Sequence, residues 1–454
     1  MFKKVKTEHI LLSVILFLGF FVRIYKINSP IADWHSWRQS DTASVSKIFI
    51  ERGIDVLYPR YHDISSIQTG IFNPEGYRMV EFPIYNATIA LLVKSFPLFS
   101  LEIWSRLITI FASLITALFL YLLGKKYLSS KVGIWASFFY LFLPFNIYFT
   151  RVILPDPLGV TFAVAALYFF DSRKILSAVL FSLALLIKPY FIFYLVAFIP
   201  NFFEKNNFRH FLLYIFISCI PLVFWRVWIS QFPEGIPFYE WAFNGDRIRF
   251  HFAFFRWIFW ERLTVLILGI FGLIPFLTSF AKNNRNKFTI NFLLGMFLYV
   301  SVVATANVRH DYYQILVIPA VSLALAQGIN WLWNKNKLTL LIIPLMFWLS
   351  WQKVLPFYQI NHPEIIEIGK VVDQITSKDA LIVAPYNGDT AFLYQMNRRG
   401  WPAVDDSIDN IIGKGADYYV SLDLNSKDTL DFSTRFKTIQ KTDKYIILDL
   451  QNEL

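Results

Sequence analysis

The stretch WHSWRQSDTA (34–43) places a histidine, an arginine, a glutamine, an aspartate and two tryptophans directly after the apolar run ILLSVILFLGFFVRIY. A carboxylate such as Asp41, held close to a hydroxyl, takes its proton as a general base. Arginine and lysine bind phosphate oxygens through charge-assisted hydrogen bonds and stabilise the charge a departing phosphate keeps. Further stretches supply the same residue types. YPRYHD carries Arg60, EFPIY carries Glu81, ILPDPL carries Asp156, KPY carries Lys188, GDRIRFHF carries His251 and NVRHDYY carries Arg309 and Tyr312. Together they suit attack by a hydroxyl on a carbon whose leaving group is a phosphate. A lipid-linked phosphosugar would present its phosphate at the membrane surface, where such residues collect.

Taken singly, most of these residues have plainer roles. Interfacial arginines and tryptophans anchor a chain to the bilayer, and loop histidines hydrogen-bond locally. Asp41 would also serve as an N-cap ahead of TASVSKIF. Lys188 differs, because an ammonium inside an apolar hairpin is costly unless it meets an anion or water.

These side chains need a scaffold, and composition says which. Of 454 residues, 56% are hydrophobic, 19% aromatic and only 17% charged. Soluble domains carry about 25% charged residues, so most of this chain belongs in lipid. The net charge of +11 comes from short basic connectors, which is a topology signal and not a nucleic-acid footprint. The lone Cys219 lies in an apolar run, which excludes a disulfide framework and a cysteine metal site.

The connectors MFKKVK, GKKYLSSK, DSRK, EKNNFRH, AKNNRNK and NKNK are all cytoplasmic by the positive-inside rule, which pairs the apolar runs between them and gives about eleven transmembrane helices. A long first external loop, 28–103, follows the first span. Within it FPIYNATIALLVKSFPLF (82–99) reads as a juxtamembrane helix, since another crossing would invert every later loop. The chain thus reads as a polytopic α-helical membrane protein, with a transmembrane catalytic part over 1–355. Beyond it, 356–454 reads as a small external α/β domain, with strands at ALIVA, DYYVSL and YIILDL.

Several stretches then occur in a telling order. HSWRQSDTA after the first span, EFPIY closing the same loop and WSRLITIFASLITALFLYLLGKKY as the next span come first. ILPDPL, KPY between two short spans and RHDYYQILVIPA follow. This order, over about residues 8–335, resembles the bacterial protein-mannosyltransferase-like and aminoarabinose-transferase-like glycosyltransferases of the glycosyltransferase C superfamily. The resemblance implies an inner-membrane enzyme, with its active site and C-terminal domain facing the periplasm. It would move a sugar, with inversion, from a polyprenyl-phosphate donor to a lipid, glycan or protein acceptor of the cell envelope. It implies Asp41 as catalytic base, Asp156 as a second catalytic acidic residue, and Glu81 and Lys188 at the substrate; by its position, Arg38 would hold the Asp41 carboxylate ionised. EFPIY has Phe82 where many relatives have lysine, so Arg38, Arg60 or Arg309 would compensate at the phosphate, with Tyr312 nearby. A divalent metal, bridging Glu81 and His251 as in some relatives, is the one cofactor it suggests. The competing readings are a transporter or flippase of lipid-linked sugars and a polymerase or ligase using the same donors. Transporters usually show internal repeats and charges at mid-membrane, and neither is visible here.

Overall fold

A computed structural model of the chain describes residues 7–198 and 208–454; MFKKVK and most of EKNNFRH lie outside the described residues. The chain divides into two compact units. One comprises Met1–Ile27, Arg106–Arg226 and Tyr239–Phe357, the other Asn28–Ser105, Val227–Phe238 and Tyr358–Leu454.

The first unit is helical and apolar. It contains α1 (Thr7–Arg23) and most of a long helix, Leu101–Tyr127. Among the described residues, Leu101–Tyr127, Phe211–Ile229 and Lys337–Tyr358 are long and apolar enough to cross a bilayer, while Asp156–Phe169, Lys174–Ile187, Pro189–Phe198 and Lys287–Val302 are shorter apolar helices. Several runs that look continuous in sequence are broken, each by an identifiable residue. The run 132–149 divides at Leu143 and Pro144 into helices Ser130–Phe142 and Pro144–Phe149, because proline cannot donate to the preceding turn. The run 262–280 leaves a π-helical stretch at Ile267 and turns through Gly269 at φ +52°. A Cβ on Gly269 would stand 1.8 Å from the carbonyl oxygen of Met346, so only glycine fits this turn. Lys188 ends helix Lys174–Ile187 in an extended conformation, as a residue preceding proline prefers.

Buried arginines tie the end of α1 to its neighbours within this unit. Arg23 Nε donates to Thr150 Oγ1 at 2.7 Å, Arg106 Nη1 to the Ile27 carbonyl at 2.6 Å and Arg151 Nη2 to that of Lys26 at 3.1 Å.

The second unit joins the first loop to the tail. Its loop helices are α2 (Ser36–Arg52) and α3 (Ile84–Ser95). They pack together, with Asn86 Nδ2 donating to the Thr42 carbonyl at 2.6 Å. At 12 residues, α3 is too short to cross a bilayer, which needs about 17–25 residues.

The tail forms a five-stranded sheet of β1 (Leu381–Val383), β2 (Arg399–Trp401), β3 (Tyr418–Ser421), β4 (Phe436–Lys441) and β5 (Ile446–Glu453), in the order β2-β1-β3-β5-β4. β1 runs parallel to β2 and β3, and β5 runs antiparallel to β3 and β4. Alternation along the strands serves two cores. Ile382, Val420 and Ile447 pack on helices Glu364–Ile375 and Ala391–Met396, while Val383, Tyr419, Ile446 and Leu448 face Ile411 and Phe432. The loop extends this sheet. Asp63 pairs in parallel with Gly400 of β2, with Gly400 N donating to the His62 carbonyl and Ile64 N to the Gly400 carbonyl, both at 2.9 Å. A side chain at position 400 would place its Cβ 1.8 Å from the Ile382 carbonyl oxygen. Ile64 completes the second core.

Candidate active site

In the loop-and-tail unit, α2 begins at Ser36, so Asp41 lies inside the helix and does not cap it. The cap position belongs to His35, in the left-handed conformation and without a side-chain cap bond. Asp41 is 1% exposed, and its carboxylate is held from two sides. Arg78 Nη2 approaches Oδ2 at 2.8 Å, and Thr390 Oγ1 donates to Oδ1 at 2.7 Å. The sequence reading gave Asp41 to Arg38. That pairing is corrected, since Arg38 Nη2 instead donates to Glu81 Oε1 at 2.7 Å. Residues 38 and 41 lie a turn apart on α2, and each meets a partner of opposite charge on the returning segment of the loop, Glu81 and Arg78. Arg78 is itself fixed, donating to Gln68 Oε1 at 2.6 Å and lying over the Tyr61 ring at 5.1 Å.

Asp41, Arg38, Arg78 and Glu81 therefore alternate in sign around a small cleft that Asn86 also lines. Burial works against the charged form of Glu81, but Arg38 and Arg78 hold its carboxyl below the usual range. Arg78 and Thr390 escaped the sequence reading. Arg78 lies three positions ahead of Glu81, just outside EFPIY. Thr390 lies in the connection after β1, far away in the chain. Two further aspartates of this unit are raised above the usual carboxylate range. Burial pushes Asp63 up to about 6 against the opposing Ser65 hydrogen bonds. It also pushes Asp389 up to about 6, against hydrogen bonds from Ala391 N and Ser36, with the charge of Asp41 adding to the rise.

Arg60 is half-engaged elsewhere, pairing with Glu75 at 3.0 Å and stacking over Tyr77 at 5.3 Å. Asp33, the nearest acidic neighbour in sequence, accepts from Gln39 Nε2 at 2.6 Å.

The helical unit holds a second cluster. Asp156, the first residue of helix Asp156–Phe169, is 1% exposed and forms an ion pair with Lys188. The lysine's ammonium sits 4.3 Å from the Tyr313 ring centre and 5.3 Å from that of Tyr312. The anion that the buried lysine requires is thus Asp156, and the tyrosine faces add cation–π attraction. Two residues singled out separately in the sequence form one pair. Arg262 steadies the tyrosine segment through Asp311 at 3.5 Å and the Val308 carbonyl at 3.0 Å. Arg309 stands apart from this cluster, exposed and doubly bonded to Asp246 at 2.9 and 3.0 Å.

The metal reading finds no donor set. Among the described residues, no three histidine, cysteine, aspartate or glutamate side chains gather around a point. Glu81 is engaged by Arg38 with Arg78 close by, and His251 is exposed in the other unit. The guanidiniums of Arg38 and Arg78, paired with the Glu81 and Asp41 carboxylates, oppose a divalent cation there, so no step is routed through one.

No protein-family model and no curated protein matches the sequence. Solved structures do match the fold. ArnT from Cupriavidus metallidurans bound to undecaprenyl phosphate superposes with a TM-score of 0.65 at 12% identity, over 97% of this chain and 97% of that one. The Archaeoglobus fulgidus oligosaccharyltransferase in complex with Zn and sulfate gives 0.56 at 12% identity, over 90% of this chain and 67% of that one. The oligosaccharyltransferase AglB from the same organism, with an inhibitory peptide and a dolichol-phosphate, gives 0.53 at 9%, over 94% and 72%. The chain shares a mostly helical fold with these proteins and carries a small C-terminal sheet, and among the described residues three helices are long and apolar enough to cross a bilayer.

Proposed function

We propose that this chain is an inverting, lipid-carrier-dependent glycosyltransferase of the bacterial inner membrane. The observation that carries the reading is the buried Asp41, held by Arg78 and Thr390 beside the Arg38–Glu81 pair, within a fold shared with ArnT. In this reading Asp41 takes the proton of the acceptor hydroxyl. The hydroxyl oxygen attacks the anomeric carbon from the face opposite the phosphate, the carbon–oxygen bond to phosphate breaks, and polyprenyl phosphate leaves. Lys188 carries the donor-side role. Its ammonium, aligned by Asp156 and the Tyr312 and Tyr313 faces, binds the phosphate and stabilises the charge it retains. Arg60 and Arg309, each with a carboxylate partner of its own, are secondary candidates at the phosphate. The relatives' ligands, undecaprenyl phosphate and a dolichol-phosphate, favour a polyprenyl carrier. About eleven spans, set by the basic connectors, would place the first loop and residues 356–454 on the periplasmic side, where a cell-envelope lipid, glycan or protein is the acceptor.

The test is turnover by purified wild-type protein and Asp41→Asn in nanodiscs. The donors are a panel of undecaprenyl-phosphate-linked monosaccharides, with envelope lipids as acceptors and product read by mass spectrometry. Loss of a general base lowers turnover about 100- to 10,000-fold while undecaprenyl phosphate still binds. Near-wild-type turnover by folded Asp41→Asn removes the mechanism.

A further inference from the structure

The connection between β1 and the helix Ala391–Met396 carries PYNGDT. It leaves the carboxyl end of β1, the strand flanked by parallel neighbours on both sides, and turns through Asn387 and Gly388 at positive φ. Open α/β sheets commonly present functional groups at such a point, where the connections on either side of one strand diverge. Here the turn directs Asp389 and Thr390 onto α2.

Thr390 is the N-cap residue of its own helix, a position where threonine ordinarily accepts from the backbone. Its side chain makes no cap bond. Asp389 does that work instead, accepting from Ala391 N at 2.7 Å through Oδ1 while Oδ2 accepts from Ser36 Oγ at 2.8 Å. The Thr390 hydroxyl is released for α2. It is 0% exposed and lies 2.7 Å from Asp41 Oδ1, 2.9 Å from Ser40 Oγ and 3.4 Å from the Trp37 carbonyl. A hydroxyl has one hydrogen to give, and the carboxylate is the strongest acceptor of the three. Arg78 meets the other oxygen, so the two contacts together fix the carboxylate plane.

We propose that Thr390 is a positioning residue for Asp41, and that the C-terminal domain thereby supplies part of the catalytic apparatus carried by the first loop. This rests on the general-base reading of Asp41. Thr390 touches no substrate; it acts by engaging Oδ1 while Arg78 meets Oδ2, so that the rotamer and plane of the Asp41 carboxylate are fixed at the cleft it lines. Loss of the hydroxyl at constant shape therefore leaves donor binding alone and lowers the rate of the transfer step.

The test uses the full-length protein in nanodiscs, with the undecaprenyl-phosphate-linked monosaccharide that the wild type consumes fastest. Thr390→Val is expected to lower kcat about tenfold, the worth of one hydrogen bond of about 1.4 kcal/mol. The donor KM and the binding of undecaprenyl phosphate should stay within a factor of two or so of wild type, as for an interaction made only in the transition state. Thr390→Ser should recover most of the lost kcat. In an Asp41→Asn background, Thr390→Val should have no further effect on the residual rate. Wild-type kcat in Thr390→Val, with Asp41→Asn inactive, overturns the proposal and leaves the general base standing. An equal loss from Thr390→Val in both backgrounds also overturns it, since the hydroxyl would then act independently of Asp41. Full activity of Asp41→Asn removes the parent reading instead. If Thr390→Val lowers the melting temperature and kcat together and serine restores only the melting temperature, the contact is structural and the proposal fails.

Discussion

Replacing Arg38 with alanine isolates the energetics of the charge cluster without any substrate. Arg38 is 6% exposed, and the Glu81 side chain it meets at 2.7 Å is 10% exposed. Removing one partner of such a pair leaves the other charge buried and uncompensated, at a cost of about 3–5 kcal/mol. Arg78 also acts on Glu81, so the lower end of that range applies. For a domain of 150–250 residues, each kcal/mol lowers the melting temperature by about 2–4 °C, so Arg38→Ala should melt roughly 6–12 °C below wild type at pH 7. The cycle is completed by Glu81→Gln and the double variant, each followed by tryptophan fluorescence during heating in one detergent. The double variant buries no lone charge and should be more stable than Arg38→Ala by about half the loss or more. The pH dependence has a definite sign. Glu81 has a lowered pKa in the folded protein, so its pairing stabilises fully above the unfolded-state pKa and fades as pH falls through the folded value. The Arg38→Ala deficit should therefore be full at pH 7 and shrink in acid, once Glu81 is protonated. Additive losses in the double variant, or a deficit unchanged down to pH 4, would refute the reasoning.

Two further perturbations bear on other parts of the molecule. Asp63, buried and raised to about 6 from 3.8, binds its proton more tightly folded than unfolded; stability should fall as pH rises from about 4 to about 6, by up to about 3 kcal/mol. Asp63→Asn, which keeps an acceptor for Ser65 N, should flatten that slope in thermal or denaturant melts, and an unchanged slope would exonerate Asp63. Lys188→Ala should weaken binding of undecaprenyl phosphate by about 2–5 kcal/mol, or roughly 30- to 5000-fold. Unchanged affinity of a folded Lys188→Ala, measured by ligand-dependent thermal shift, would take Lys188 away from the phosphate.

Residue type made the membrane class and the individual acidic and basic positions readable, but not their pairing. Lys188 was conspicuous because its charge sits in apolar sequence, yet nothing along the chain couples it to Asp156 across a helix pair. Arg38 looked like the partner of Asp41 because it was near in sequence. In the fold it meets Glu81 and leaves Asp41 to Arg78, a residue just outside the stretch noticed for its glutamate. Strands β1, β3 and β5 announced themselves by β-branched content. RGW of β2 reads as a charged turn, and FKTIQK of β4 is largely exposed, so neither carries the apolar alternation that marks a strand. Thr390 was invisible for a deeper reason. A threonine after NGD is the ordinary chemistry of a turn entering a helix, and only its diverted hydroxyl distinguishes it.

The pairing of residues 62–64 with Gly400 also sets an order of events during biosynthesis. The first loop leaves the ribosome long before β2, the strand it must lie against, is made. At about 5–20 residues per second, the intervening chain takes roughly 15–60 s to synthesise. Through that interval the loop carries Ile64 without its core and Asp41 without Thr390. It is then open to proteases and to premature association. A nascent or truncated chain can therefore bind lipid through its helices and still have no completed Asp41 site. The Asp41 carboxylate therefore gains its second partner only once Thr390 has been made and folded against α2.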